Sequence, residues 1–298
     1  LPQRVTQGMM NTQLLTNLNS NLKRLDNLQN QLATGRRINK PSDDPVGISF
    51  SMRYRSEISS NDQYQKNADS AASWLDYSDT ILNQAGDVIH RVRELAVQGA
   101  NGTNPPEALD AINSEMKQLY GQLVQIGNSQ FNGKYVFNGQ TTDVKPYSDA
   151  TADKDFTDTG DIQFEVGVGS KLAVNITGDA VFGSPSSPDN AFAVIKNIMD
   201  NLSSGNYQGV SDSIGLLDSR TDTFLEKRAD IGAKQNRIDL TMNRLQDTGV
   251  NITSLLSKTE DADMAQVITQ LKTDENVYEA SLSTGSKIIR PSLLDFLK

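Results

Sequence analysis

The segment ADSAASWLDYSDTILNQAGDVIHRVRELAVQG, Ala68 to Gly99, decides the architecture. Within it Ala68, Ala71, Leu75, Ser78, Leu82, Ala85, Ile89, Val92 and Ala96 recur at alternating steps of three and four residues. That is the spacing of one face in a left-handed helical bundle. Upstream, Asp44-Pro45 supplies an N-cap carboxylate followed by proline at the first helical position, and Gly99 and Gly102 supply a stop. One helix is therefore predicted from about Pro45 to Gln98, with Gly86 lowering its local propensity.

Two further seams use the same step. Leu109, Ile112, Met116, Leu119, Leu123 and Ile126 form a shorter one, introduced by Asn104-Pro105-Pro106 and closed at Gly127. The other runs through Tyr207, Val210, Ile214, Leu217, Thr221, Phe224, Arg228, Ile231, Gln235, Ile238, Met242 and Leu245, and the helix is expected to continue beyond Gly249 toward Leu271. Helices of that length would measure roughly 80 to 90 Å. The expected packing is an antiparallel rod, with the first and third helices side by side and the second folded back on them.

Composition agrees. Hydrophobic residues make up 36% of the 298 and aromatics 6%, too little for a thick core but enough for narrow seams. The net charge of -9 disfavours general nucleic-acid binding, since phosphate is repelled on average. Between Gly139 and Asp189 nine acids face three lysines, which reads as a solvated surface. The absence of cysteine excludes disulfides, thiolate ligands and cysteine nucleophiles. No apolar run is long enough for a membrane span, and LPQRVTQGMMN lacks a signal-peptide pattern. Export is expected to proceed without a cleavable signal.

Both ends carry seams of their own. Leu15, Leu18, Leu22, Leu25 and Leu32, flanked by Leu14 and Leu28, precede Gly35. Met264, Val267, Leu271, Tyr278 and Leu282 lead into an apolar tail with Ile288, Ile289, Leu293, Leu294, Phe296 and Leu297. Leucine-rich ends exposed on a monomer are an association hazard, so they are expected to find partners.

From Gly139 to Pro188 the period changes. Ile162, Phe164, Val166 and Val168 alternate, as do Leu172, Val174 and Ile176, with Gly169-Ser170 between them. A β-hairpin is predicted within a small β-rich insertion, followed by a short helix near Asn190 to Leu202.

Chemistry is sparse. His90, the single histidine, has no histidine or cysteine companion and reads as a surface or seam residue. Asp153, Asp155, Asp158 and Asp161 lack the spacing, glycine and terminal glutamate of a calcium loop. Gly167 and Gly169 lack the lysine of a phosphate loop. Trp74 is expected to cover the rod, and Arg36, Arg37 and Lys40 to mark a solvated hinge or a subunit contact.

RVTQGMMNTQLLTNLNSNLKRLDNLQNQLATGRRINKPSDDPVGISFSMRYR, beginning at Arg4, resembles the amino-terminal signature of the flagellin and hook-associated protein family. The motif centres on Thr34, Gly35, Arg36, Asn39, Ser42, Asp43, Asp44 and Pro45. NSQFNGKYVFNGQ at Asn128 to Gln140 and SLLDFL at Ser292 to Leu297 are similar to the L-type hook–filament junction members, and Pro41 and Pro45 favour that type over filament flagellin. Arg290-Pro291 departs from the pattern, because proline interrupts a helix.

The resemblance implies a mainly α protein: a flagellin-like elongated antiparallel bundle with terminal coiled-coil helices and a small inserted β-rich domain. Residues 1–36 and 260–298 would be assembly segments, 37–138 and 195–259 the helical rod, and 139–194 the outer domain. It further implies ends that are poorly ordered in the monomer and pair on assembly. The implied interface residues are Leu15, Leu18, Leu22, Leu25, Leu32, Leu271, Tyr278, Leu282, Ile289, Leu293, Leu294 and Phe296. The implied function is structural and non-enzymatic, without cofactors, metal or catalytic residues: an extracellular adaptor between hook and filament, exported by the flagellar type III apparatus. The implied partners are the K-type hook-associated protein, flagellin, copies of itself and an export chaperone, with no nucleic acid and no membrane insertion. The alternatives are a short filament flagellin and, further off, a rod displaying an adhesin or enzymatic module.

Overall fold

The computed structural model describes residues 7–288. Its helices are α1 (Gln7–Thr34), α2 (Pro45–Gly99), α3 (Pro106–Gly127), α4 (Gly178–Phe182), α5 (Ala191–Ser204), α6 (Tyr207–Glu260) and α7 (Met264–Ile288). The strands are β1 (Gln130–Phe131), β2 (Lys134–Tyr135), β3 (Gln163–Gly167) and β4 (Ser170–Ala173), forming two antiparallel pairs, β1 with β2 and β3 with β4. The protein is mainly α with a small β component, as the seams require. Contacts divide it into two units. One holds the described residues up to Ser60 and from Thr248 onward, and the other is Asn61–Asp247.

The 61–247 unit is built on the predicted seams. Every residue of the Ala68–Ala96 stripe is buried. Ser78, its one polar member, returns its hydroxyl to the Trp74 carbonyl at 2.7 Å and so avoids an unpaired buried oxygen. Against this stripe α6 runs antiparallel: Asn61 Nδ2 donates to the Leu245 carbonyl at 3.0 Å, Gln235 Nε2 to Asp76 at 2.8 Å, Arg228 Nε to Asp79 at 2.9 Å and Arg93 Nε to Asp218 at 2.6 Å. Along α6, Val210, Leu217, Phe224, Ile231, Ile238 and Leu245 are buried, while the intervening Ile214, Thr221, Arg228, Gln235 and Met242 are only partly covered. One heptad position thus fills the core and the other borders it, which is how an apolar-poor sequence builds a long helix pair.

The rest of this unit is an aromatic core. α3 packs on α5, and Phe182 and Phe192 lie 5.2 Å apart with Tyr147 4.8 Å from Phe192 and Phe137 5.5 Å from Phe182. Burial pushes the Tyr147 hydroxyl well above the ordinary phenol range. Asn190 caps α5 by accepting from Ala193 N at 3.0 Å, and Gly205 ends it in the left-handed region at φ 69°.

Two expectations need correction. The third long helix does not continue to Leu271; it stops at Glu260, and Asp263 restarts the chain as α7 by accepting from Ala265 N at 3.0 Å and Gln266 N at 3.1 Å. Asp263 and Gln266 stand in the spacing of a capping box, a start signal inside what looked like one helix. The second hairpin is shorter than its alternation implied, because an irregularity between Glu165 and Gly167 shifts the register. Val168 consequently sits at the turn, 91% exposed, instead of continuing the inward set.

Candidate assembly site: the paired terminal helices

Within the other unit, α1 and α7 pack against each other and run antiparallel. Arg24 Nε meets Asp274 Oδ2 at 3.3 Å, and at the far end Gly285 lies so close to Leu14 that a methyl group there would meet Leu14 Cδ2 at 2.8 Å.

The covered face of α1 is Leu14, Leu18, Asn21, Leu25 and Leu28, again at steps of three and four. Of the expected interface residues, Leu25 and Leu271 are buried at 8% and 7% exposure, and Leu18 and Tyr278 are partly covered. Leu15, Leu22 and Leu282 are 59%, 45% and 46% exposed, and Leu32 is also exposed. Ile289, Leu293, Leu294 and Phe296, like Arg290-Pro291, lie outside the described residues. The helix pair therefore has two apolar faces, one used internally and one open. Burying a leucine contributes about 1.5–3 kcal/mol, so Leu15, Leu22 and Leu282 leave much of that gain for a neighbour.

The family motif builds the junction beside this pair. Gly35, at φ 70°, ends α1 with its N–H on Gln31 O at 2.8 Å. Arg36 then forms an antiparallel bridge with Asp261, Ala262 N donates to Gly35 O at 3.0 Å, and Arg37 N donates to Glu260 O at 2.7 Å. The Glu260 carboxylate, nearly fully buried, is paired with Arg36 Nε at 2.7 Å and accepts from Arg55. Arg37 reaches the Thr259 carbonyl at 2.8 Å. Sequence reading missed Glu260 and Arg55; nothing local marks two residues that meet across 205 positions.

The remaining motif residues shape the linker from α1 to α2. Thr34 Oγ1 donates to Asn30 O at 2.8 Å, and Asn39 Nδ2 to Arg36 O at 3.0 Å. Asp43 accepts from Asn39 N at 3.0 Å and Lys40 N at 2.8 Å, and these N–H groups hold its carboxyl below the usual carboxylate range. Asp44 accepts from Gly47 N at 2.9 Å, ahead of Pro45 at the first position of α2. Ser42 is exposed. Arg36 and Arg37 are thus engaged with α6, and the basic cluster is a clasp more than a solvated hinge.

His90 is exposed on α2. Among the described residues no group of histidine, cysteine and carboxylate side chains could hold a metal ion, and no helix is long and apolar enough to cross a membrane.

The α1–α7 pair thus covers Leu25 and Leu271 and leaves Leu15, Leu22 and Leu282 exposed, beside a motif built on the buried Glu260 carboxylate. The model of the bacterial flagellin N-terminal helical region matches residues 5–142, and that of the C-terminal helical region matches residues 214–297. The flagellar filament 33 kDa core protein of Treponema phagedenis is 30% identical, over 83% of this chain and 82% of its own length. Among solved structures, a putative flagellar hook-associated protein from Vibrio parahaemolyticus superposes with a TM-score of 0.68 at 19% identity, covering 74% of this chain and 100% of that one. Flagellar hook associated protein-3 from Legionella pneumophila gives 0.61 at 17% identity, covering 70% and 98%. The chain belongs to the bacterial flagellin family, whose members are structural and non-enzymatic components of the extracellular flagellum.

Proposed function

We propose that this chain is a hook–filament junction adaptor, exported through the flagellar type III apparatus with its carboxyl-terminal helix guarded by an export chaperone. It joins the hook side, through a K-type hook-associated protein, to flagellin. The observation that carries this reading is the stretch Asn128–Gln140. There the L-type pattern NSQFNGKYVFNGQ forms the β1–β2 hairpin, closed by Asn132-Gly133 at φ 51° and 78° and anchored by buried Val136, Phe137 and Asn138. In this reading residues 1–36 and 260–298 assemble, 37–138 and 195–259 form the helical body, and 139–194 face outward. Leu15, Leu22, Leu32 and Leu282, with the tail residues Ile289, Leu293, Leu294 and Phe296, are covered by neighbouring subunits; Leu18, Leu25, Leu271 and Tyr278 hold the pair that presents them.

Deleting the gene tests the proposal. Hooks should remain intact while flagellin is released into the medium, and normal filaments on the deletion strain would falsify it. A second reading, a short filament flagellin, is favoured by the identity to the Treponema filament core protein. The purified chain distinguishes the two: a filament protein grows long filaments from seeds, and an adaptor does not.

A further inference from the structure

Outside the terminal pair, the 61–247 unit holds an open cavity of about 320 Å³ where α2, the β1–β2 hairpin and the start of β3 meet. Its apolar lining is Trp74, Ile162 and Phe164. Its polar lining is Lys134, Gln140, Thr142 and Asp161.

The walls are built, not incidental. Trp74 is only 6% exposed and is held edge-on by Phe131, with ring centroids 5.7 Å apart. Gln140 is fixed from both ends, its backbone N–H on Asp158 Oδ2 at 2.6 Å and its Nε2 on the Asp161 carbonyl at 2.9 Å. Asp158 also accepts from Thr141 N at 3.2 Å and Gly160 N at 3.2 Å, so one carboxylate sets the rim. Tyr135 N donates to Thr142 O at 2.7 Å and ties the loop to the hairpin.

Against this fixed frame several polar groups remain unused. The Lys134 ammonium, the Thr142 hydroxyl and the Asp161 carboxylate make no hydrogen bond among the described residues, although Asp161 lies within electrostatic reach of Lys234. The buried Nε1 of Trp74 is also unpartnered. A buried indole N–H usually finds an acceptor. The cavity thus offers an apolar wall, one cation, one anion, a hydroxyl and an amide oxygen, in a volume at the lower end of ligand-binding pockets.

We propose that this cavity binds a neutral saccharide of one or two rings. A pyranose has an apolar C–H face for Trp74, Ile162 and Phe164 and a hydroxyl edge that both donates and accepts. Asp161 and the Gln140 side-chain oxygen accept hydrogen bonds from its hydroxyls, and Lys134 and Thr142 donate to its oxygens. The opposite charges of Lys134 and Asp161 disfavour a ligand with net charge of either sign.

The chain has one tryptophan, so its fluorescence reports on this cavity alone. Full-length protein is titrated with glucose, galactose, N-acetylglucosamine and their disaccharides, following Trp74 emission and, in parallel, saturation-transfer NMR of the sugar. At least one sugar should saturate with a dissociation constant on the order of 1 mM, and Asp161→Asn or the exposed Lys134→Met should weaken it about tenfold. Asp149→Asn, on a residue that does not line the cavity, should leave it unchanged. Circular dichroism checks that each variant is folded. Saturation by none of the sugars in either readout overturns the proposal. So does binding that Asp161→Asn and Lys134→Met leave intact, or a response confined to zwitterions such as betaine and alanine.

Discussion

Two helix pairs in this protein use the same three-four spacing and finish differently. Along α2 in the 61–247 unit, every stripe position from Ala68 to Ala96 is sealed. In the terminal pair, Leu14, Leu18, Leu25 and Leu28 lie toward the covered side, yet Leu15 and Leu22 on the same helix stay open. The difference lies in how many apolar rows find cover within the chain. α2 also buries Trp74, Ile81, Val88 and Leu95 on the adjoining row, so both of its rows are sealed, whereas α1 carries leucines on adjoining rows and only one of them is covered. A sealed seam leaves nothing for a neighbour to cover, and a half-open one leaves leucines that the proposed assembly would bury.

The sharpest way to break that comparison is to truncate one leucine in each pair. Leu82→Ala, in the sealed stripe, should lower the unfolding free energy of the monomer by about 3 kcal/mol in a urea titration. Leu22→Ala should change it by less than about 0.5 kcal/mol while impairing assembly. Comparable losses in the monomer would mean that the terminal face is already covered.

The clasp gives a smaller effect confined to one unit. Glu260→Ala leaves the guanidinium groups of Arg36 and Arg55 without their acceptor, and its cost should be about 2 kcal/mol, moderated because both arginines are partly solvated. Hydrogen exchange should speed up in α1 and α7 with the Ala68–Ala96 helix unchanged. Uniform acceleration through both units would show that the clasp does not act locally.

Acid should produce the smallest effect. The Asp43 carboxyl is held below its ordinary value by the N–H groups of Asn39 and Lys40. A depressed value means that its contribution is present above the unfolded pKa of about 3.9 and is lost as pH falls through the folded one. The protection of the Asn39 and Lys40 amides, measured against their intrinsic exchange rates, should therefore fall as pH drops below the ordinary carboxylate range. Asp43→Asn should remove that part of the pH dependence, and an unchanged profile would contradict it.

Much of this was legible in the sequence. The stripes of α2, α3 and α6 could be read because a seam repeats over many turns, and the start of α2 because Asp44-Pro45 carries its own chemistry. The covered face of α1 was not, since Leu14, Leu15, Leu18, Leu22, Leu25, Leu28 and Leu32 satisfy more than one stripe and only the partner helix selects among them. The break before α7 had a readable signal in Asp263 and Gln266, masked because Met264, Val267 and Leu271 continue the apolar spacing. Glu260 could not have been found, because its value lies in two arginines far away in the chain. The walls around Trp74 likewise come from segments 60 to 90 residues apart.

The account stands most directly on whether the open face of the terminal pair is covered in the flagellum. The chain has no cysteine, so Leu22→Cys and, as a control at a 71% exposed position of the proposed outer segment, Phe156→Cys each introduce a unique thiol. Labelling with a water-soluble maleimide should modify both in the purified monomer. In intact flagella only the cysteine at 156 should react. Equal reactivity at position 22 before and after assembly would contradict the account.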